Sequence, residues 1–260
     1  MKVFFLILCV GFFANGQAFA SCEKELVNEF LNKNYRDNSG GNSYLPSDAI
    51  VECKELPEEG DKVVISVLTR GNAQSKSTAL FPFELDLFVL DTKTGIAVTS
   101  YMNKNEYITG SQRMFGYSLE DTDPIIKKTF GVRIGYWAGA SSGYGFENIS
   151  LFSFDGDKIK KILNALTSSE KEPFDEDGAE CQIDHEGGSL GTDTKRSLVS
   201  SGEVGSAYPD ITIQEVTIIA RPKLSGEGCL VQKKTDRRNY KLQYNGTEYR
   251  IPKALSNELY

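Results

Sequence analysis

Phe83-Glu84-Leu85-Asp86-Leu87-Phe88-Val89-Leu90-Asp91-Thr92-Lys93-Thr94-Gly95-Ile96 decides the fold class, because it holds a strand, a turn and the start of a second strand. Leu85 and Leu87 alternate with Glu84 and Asp86, a period of two that a helix cannot use. Gly95 can take a positive φ, and the Asp91 carboxylate can close the turn onto its own backbone. Ile96 to Tyr101 is therefore expected to return as the antiparallel partner.

The same reading extends in both directions. Lys62 to Thr69 is apolar at both parities, the pattern of a strand covered on two sides. Thr129 to Trp137 places Phe130, Val132, Ile134 and Tyr136 on one face, as a half-buried strand does. Asn148 to Asp155 carries apolar groups on both faces, and Asp155-Gly156-Asp157 makes a tight turn after it. Lys158 to Leu166 fits a helix by its apolar spacing and a strand by the turn before it. Ser168 to Gly178 reads as a solvated loop and as the place where two lobes would divide. Asp210 to Arg221 is a long strand whose apolar parity changes between Ile213 and Val216, which predicts a bulge. Asn245-Gly246 between Tyr240–Tyr244 and Thr247–Ile251 is a strong hairpin signal, and that role makes its glycosylation sequon incidental.

About a dozen short strands at hairpin spacing predict an all-β antiparallel meander with one short N-terminal helix. A sandwich, a barrel or a small propeller satisfies this pattern. The helix is expected from Ser21 as its cap, through Leu26, Val27, Phe30 and Leu31, to about Asn34.

Residues 1–20 read as a secretory leader: Lys2, an apolar run from Val3 to Phe13, and a cleavage site at Ala18-Phe19-Ala20. Cys9 lies inside the apolar run, where a lipid-modification site would not. Residues 21–260 then form one exported β-rich domain, periplasmic or secreted, with no second apolar stretch long enough for a membrane helix. The chain has 29 basic and 36 acidic residues, net −7. Loss of Lys2 makes the mature protein more acidic still, which argues against nucleic acid as a partner.

Cys22, Cys53, Cys181 and Cys229 are an even set in an exported chain, and four cysteines permit three pairings. The expected pairing is Cys22 with Cys53 and Cys181 with Cys229, each within its own half. No CxxC spacing exists, so structural bridges are preferred to a metal or redox role.

Catalytic motifs fail on context. Gly187-Gly188-Ser189-Leu190-Gly191 and Gly139-Ala140-Ser141-Ser142-Gly143 match the nucleophile-elbow pattern, but neither has a strand before it and a helix after it. His185 lies between Asp184 and Glu186, and adjacent strand residues point to opposite faces, so the three do not converge without a sharp turn. Glu120-Asp121-Thr122-Asp123, Asp155-Gly156-Asp157 and Asp175-Glu176-Asp177-Gly178 lack the EF-hand spacing. No catalytic residue, metal site or cofactor is assigned. Tyr136, Trp137, Tyr144 and Phe146, which frame the loop from Ala138 to Gly145, are the candidate binding residues, since rings beside a flexible loop bring much contact area at low entropy cost. The sequence therefore predicts a binding protein rather than an enzyme. Its expected partner is a protein, plausibly basic, as for an inhibitor or immunity-type protein. A secreted hydrolase or a calcium-dependent carbohydrate-binding protein is the alternative.

Overall fold

The computed structural model describes residues 22–35, 49–56, 59–70, 82–107, 113–122, 126–138, 144–172, 191–200, 208–225 and 228–255. The leader, Ser21, Cys181, His185 and the serines of both elbow motifs, Ser141 and Ser189, fall outside these residues. The described residues form one helix, α1 (Lys24–Asn34), and twelve strands: β1 (Ile50–Glu55), β2 (Lys62–Arg70), β3 (Pro82–Asp91), β4 (Ile96–Tyr107), β5 (Arg113–Asp121), β6 (Thr129–Ala138), β7 (Tyr144–Phe154), β8 (Ile159–Glu172), β9 (Gly191–Ser200), β10 (Ile211–Ser225), β11 (Gly228–Tyr244) and β12 (Tyr249–Arg250). Two antiparallel sheets result, with strand orders β1-β2-β3-β4 and β12-β11-β10-β9-β8-β7-β6-β5. Within each sheet the strands pair in sequence order, as a meander requires, and the chain changes sheet between β4 and β5. The continuous eight-stranded sheet is not divided into four-stranded blades, so the architecture is sandwich-like and not a propeller.

The covered faces follow from the residue pattern. Val64 and Leu68 on β2, with Leu85, Leu87 and Val89 on β3, pack against Phe130, Val132 and Ile134 of β6 and Phe152 and Phe154 of β7. The opposite face of the small sheet, Val63, Ile65, Val67, Phe88 and Leu90, packs under Phe30 and Leu31 of α1. β2 is thus buried on both sides, as its unbroken apolar run implies. The Cys22–Cys53 disulfide ties the start of α1 to β1. Tyr35, just past the helix, donates its hydroxyl proton to Asp86 at 2.8 Å. Helix capping differs from expectation: Glu23 is the N-cap residue and makes no side-chain capping bond.

A third apolar cluster explains how the large sheet bends. Ile149 and Leu151 of β7 and Ile162, Leu163 and Leu166 of β8 pack against Ile211 and Ile213 of β10, Leu242 of β11 and Tyr249 of β12. β8 pairs with β7 along most of its length but meets β9 only from Ser169 to Glu172. β9 and the strands after it therefore leave the plane of β7 and β8, and the sheet folds over itself along that short junction. Register shifts between β7 and β8, and a positive φ of 36° at Ala165, accompany the bend.

Three local expectations need correction. Lys158–Leu166 is strand apart from Lys158, and Ser168–Glu172 continues it: Thr167 and Ser168 are buried, so no loop begins before residue 173. β10 carries no bulge, because its register with β9 and β11 is unbroken. Its parity changes because Glu215, buried, takes the inward position after Ile211 and Ile213 and meets Arg196 there. At Asn245-Gly246 the hairpin forms with a four-residue loop, Asn245 to Glu248, and β12 is only two residues long. Asn245 Oδ1 accepts the backbone N–H groups of Thr247 and Glu248 at 2.8 and 2.9 Å, and it is Gly246 that has the positive φ, 95°.

Candidate binding cleft

Alternation along β6 and β7 separates the predicted aromatic site from the surface. Tyr136 and Phe146 are 7% exposed and belong to the core between the sheets, with ring centroids 5.2 Å apart. Tyr144 is half-buried beside them, 6.1 Å from Phe146, and its hydroxyl hydrogen-bonds the Glu170 carboxylate. Trp137 pairs through its backbone with Gly145, and its side chain lies outside the description. The structure thus brings Tyr136, Phe146 and Tyr144 together, with most of their ring area turned to the core.

The intervening residues, at the other parity, open into a cleft of about 670 Å³. Arg133 comes from β6, Gly145 and Glu147 from β7, Ser169 and Lys171 from β8, Lys195 and Ser197 from β9, and Gln214 and Val216 from β10. These are cross-strand neighbours: Glu147 faces Ser169, Ser169 faces Lys195, and Lys195 faces Val216. The cleft follows the line where the large sheet bends. A second groove of about 620 Å³ runs along Glu25, Asn28, Glu29, Asn32 and Lys33 of α1 alone.

Two arginines are fixed in the cleft wall. Arg133 makes a two-pronged contact with Glu120, through Nε and through Nη2 at 2.8 Å, and its Nη1 reaches Ser168. That bonding to Glu120, reinforced by the charges of Glu120 and Glu147, holds the Arg133 proton more tightly than usual. Arg196 Nε donates to Glu215 at 2.7 Å and Nη1 to the Thr167 carbonyl at 3.0 Å. These forks are occupied by the protein's own acceptors, so they stiffen the wall. Ser168 Oγ donates to the Glu147 carbonyl at 3.2 Å, and neither that carbonyl nor Arg133 can serve it as a base. Lys171 and Lys195 are exposed and form no ion pair among the described residues.

The acidic clusters behave structurally where they are described. Glu120 pairs with Arg133, and Thr122 hydrogen-bonds Thr129 at 2.7 Å in the interior. Asp155 Oδ1 caps the Lys158 N–H at 3.0 Å across a turn in which Gly156 has φ 101°. Among the described residues no group of three or more His, Cys, Asp or Glu is placed to hold a metal ion. No helix among them is long and apolar enough to cross a membrane.

The polar parity of β6 carried the available signal, since Arg133 interrupts Val132 and Ile134 on a side where its nearest neighbours are Gly131 and Gly135. No family model matches the chain, and no curated protein or solved structure matches it either.

Proposed function

We propose that this is an exported, disulfide-stabilised β-sheet protein that acts by binding a macromolecular partner, seated in the cleft across β6 to β10. The observation that carries this reading is the cleft's construction: side chains from five consecutive strands converge on one concavity whose wall is braced by the Arg133–Glu120 and Arg196–Glu215 pairs. Sites on sheet strands hold their geometry better than sites on loops, which lowers the entropy cost of binding. The Ser168 hydroxyl is held between Arg133 and the Glu147 carbonyl, an arrangement that braces the wall. Export is supported by the Cys22–Cys53 bridge, since such bonds persist in oxidising compartments. An inhibitor or immunity-type role fits a protein that works by covering another. The net charge of −7 supports a basic partner for the surface at large, and the cleft is the local exception to it.

Ser169→Trp fills the cleft from its floor and tests the reading. The mature chain, immobilised, is exposed to envelope extract beside this variant. A partner retained by the wild type and lost by the variant supports the assignment, and identical capture by both removes it.

A further inference from the structure

We infer that the cleft takes an extended acidic segment of a protein partner, with carboxylates at alternate positions, Glu-x-Glu or Asp-x-Asp. This rests on the cleft being the binding site. The chain is acidic, yet the cleft lining contains Arg133, Lys171, Lys195 and Arg196 against one acid, Glu147. The arginine forks are spent on Glu120 and Glu215, which leaves the two exposed lysines as the charges a ligand can use. Lysine is a mobile point charge that attracts a carboxylate without demanding one geometry.

Register sets their spacing. Lys195 faces Ser169 and Lys171 faces Asp193, so the two lysines stand two residues apart along the strands and one strand apart across them. Two residues of strand span about 6.7 Å, which is the repeat between same-side residues of an extended peptide. A peptide lying along the junction of β8 and β9 therefore presents one acid to each lysine. Ser197 and Gln214, at the same parity as Lys195, offer a hydroxyl and an amide to its backbone. The same face continues onto β11, where Arg237 lies opposite Val216 and adds a further cation beyond the cleft mouth, while Lys241, opposite Thr212, is paired with Asp210 at 2.6 Å.

The test is fluorescence anisotropy with the mature full-length chain and a labelled ten-residue peptide carrying Glu at alternate positions. The comparison probes are a peptide of the same composition with its acids contiguous, and polygalacturonate. Lys171→Gln/Lys195→Gln is the test variant. Lys158→Gln, an exposed lysine at the far end of the β7–β8 hairpin, is the control. The proposal expects binding that weakens with added salt, falls about tenfold or more in the double variant, and is unchanged in the control. It also expects the alternating peptide to bind more tightly than the contiguous one. Equal affinity of wild type and double variant overturns the proposal, as does binding of polygalacturonate in preference to the peptides. Residues 173–190, between β8 and β9, contain Asp175, Glu176, Asp177, Glu180, Asp184 and Glu186 and no Lys or Arg. Peptide binding that appears only when these six are changed to Asn or Gln assigns the cleft to the chain's own acids and also overturns the proposal. Partner capture that depends on Ser169 but not on the lysines would sink this inference while leaving the cleft as the binding site.

Discussion

Arg196 and Glu215 are directly opposite each other on β9 and β10, and their side chains meet at 2.7 Å in the interior of the large sheet. Tyr240 adds a hydroxyl donor to the second carboxylate oxygen at 3.3 Å, and the Thr167 carbonyl receives the guanidinium's other arm. The pair fastens β9 to β8 next to the four-residue junction between them. Arg196→Leu leaves a buried carboxylate with Tyr240 as its main support and is expected to cost about 3–5 kcal/mol. Arg196→Met/Glu215→Leu, which leaves no buried charge, is expected to restore most of that loss. Urea unfolding midpoints of the two variants measure the difference, and equal losses would contradict the assignment.

Glu59 governs an acid-sensitive contact. Its carboxylate receives Lys128 and Lys62, each at 2.7 Å, and these hydrogen bonds, Lys128 foremost, hold it below the ordinary glutamate range. A depressed folded value means the contact stabilises fully above the unfolded pKa and is lost as pH falls through the folded one. Lys62 is shifted the other way by the same bond, so its share is present below its unfolded value and is lost in strong alkali. The ions are solvent-screened, so Glu59→Gln is expected to cost about 0.5–1 kcal/mol at neutral pH. Thermal melts should show that gap closing as the pH falls below the ordinary glutamate range.

Two turn glycines are expected to respond differently to asparagine. Gly95 has φ 65°, inside the left-handed basin that asparagine tolerates, and a Cβ there would meet Leu26 Cδ1 at an ordinary 3.5 Å. Gly156 has φ 101°, beyond that basin, although nothing lies within 4 Å of its Cβ position. Gly95→Asn should therefore be within about 0.5 kcal/mol of wild type, and Gly156→Asn should lose about 1–3 kcal/mol. Denaturant midpoints rank them, and the reverse order would contradict the backbone argument.

The Cys22–Cys53 bridge joins residues 31 apart, for which loop-closure entropy gives about 3–4 kcal/mol. Cys22→Ala/Cys53→Ala should lower the unfolding midpoint accordingly and raise amide exchange in α1, whose remaining hold is Phe30, Leu31 and their neighbours. Cys181 and Cys229 are proposed as the second bridge. Non-reducing mass spectrometry of the mature protein should find two linked peptides, no alkylatable thiol and an N-terminus at Ser21. Two labelled thiols would remove the second bridge.

Strand identity was legible wherever one residue's neighbours settled its environment. The Phe83–Ile96 hairpin, the doubly covered β2 and β7 and the stop of α1 at Asn34 follow from local pattern alone. Glu215 was misread because an inward carboxylate and a bulge break parity in the same way, and only Arg196 on the neighbouring strand distinguishes them. Of the aromatic candidates, Tyr136, Tyr144 and Phe146 lie together, with Tyr136 and Phe146 at the core parity. The cleft was not readable, because most of its residues are ordinary outward-facing residues of their own strands. Its meaning appears only when register aligns positions from Arg133 to Val216.

The nearest-neighbour order of all twelve strands has a kinetic consequence. Every ladder among the described residues closes across a connection between consecutive strands, so none of these pairings must wait for a distant segment to arrive. Loop-closure entropy is therefore met in small instalments, and the ladders can zip from more than one starting hairpin. The steps that require the whole chain are the stacking of the two sheets and the folding over of β10 to β12. A late refolding phase should accordingly be sensitive to truncation of Ile211, Ile213 or Leu242, whose packing against Ile149, Leu151 and Leu163 of the β7–β8 hairpin requires that fold-over.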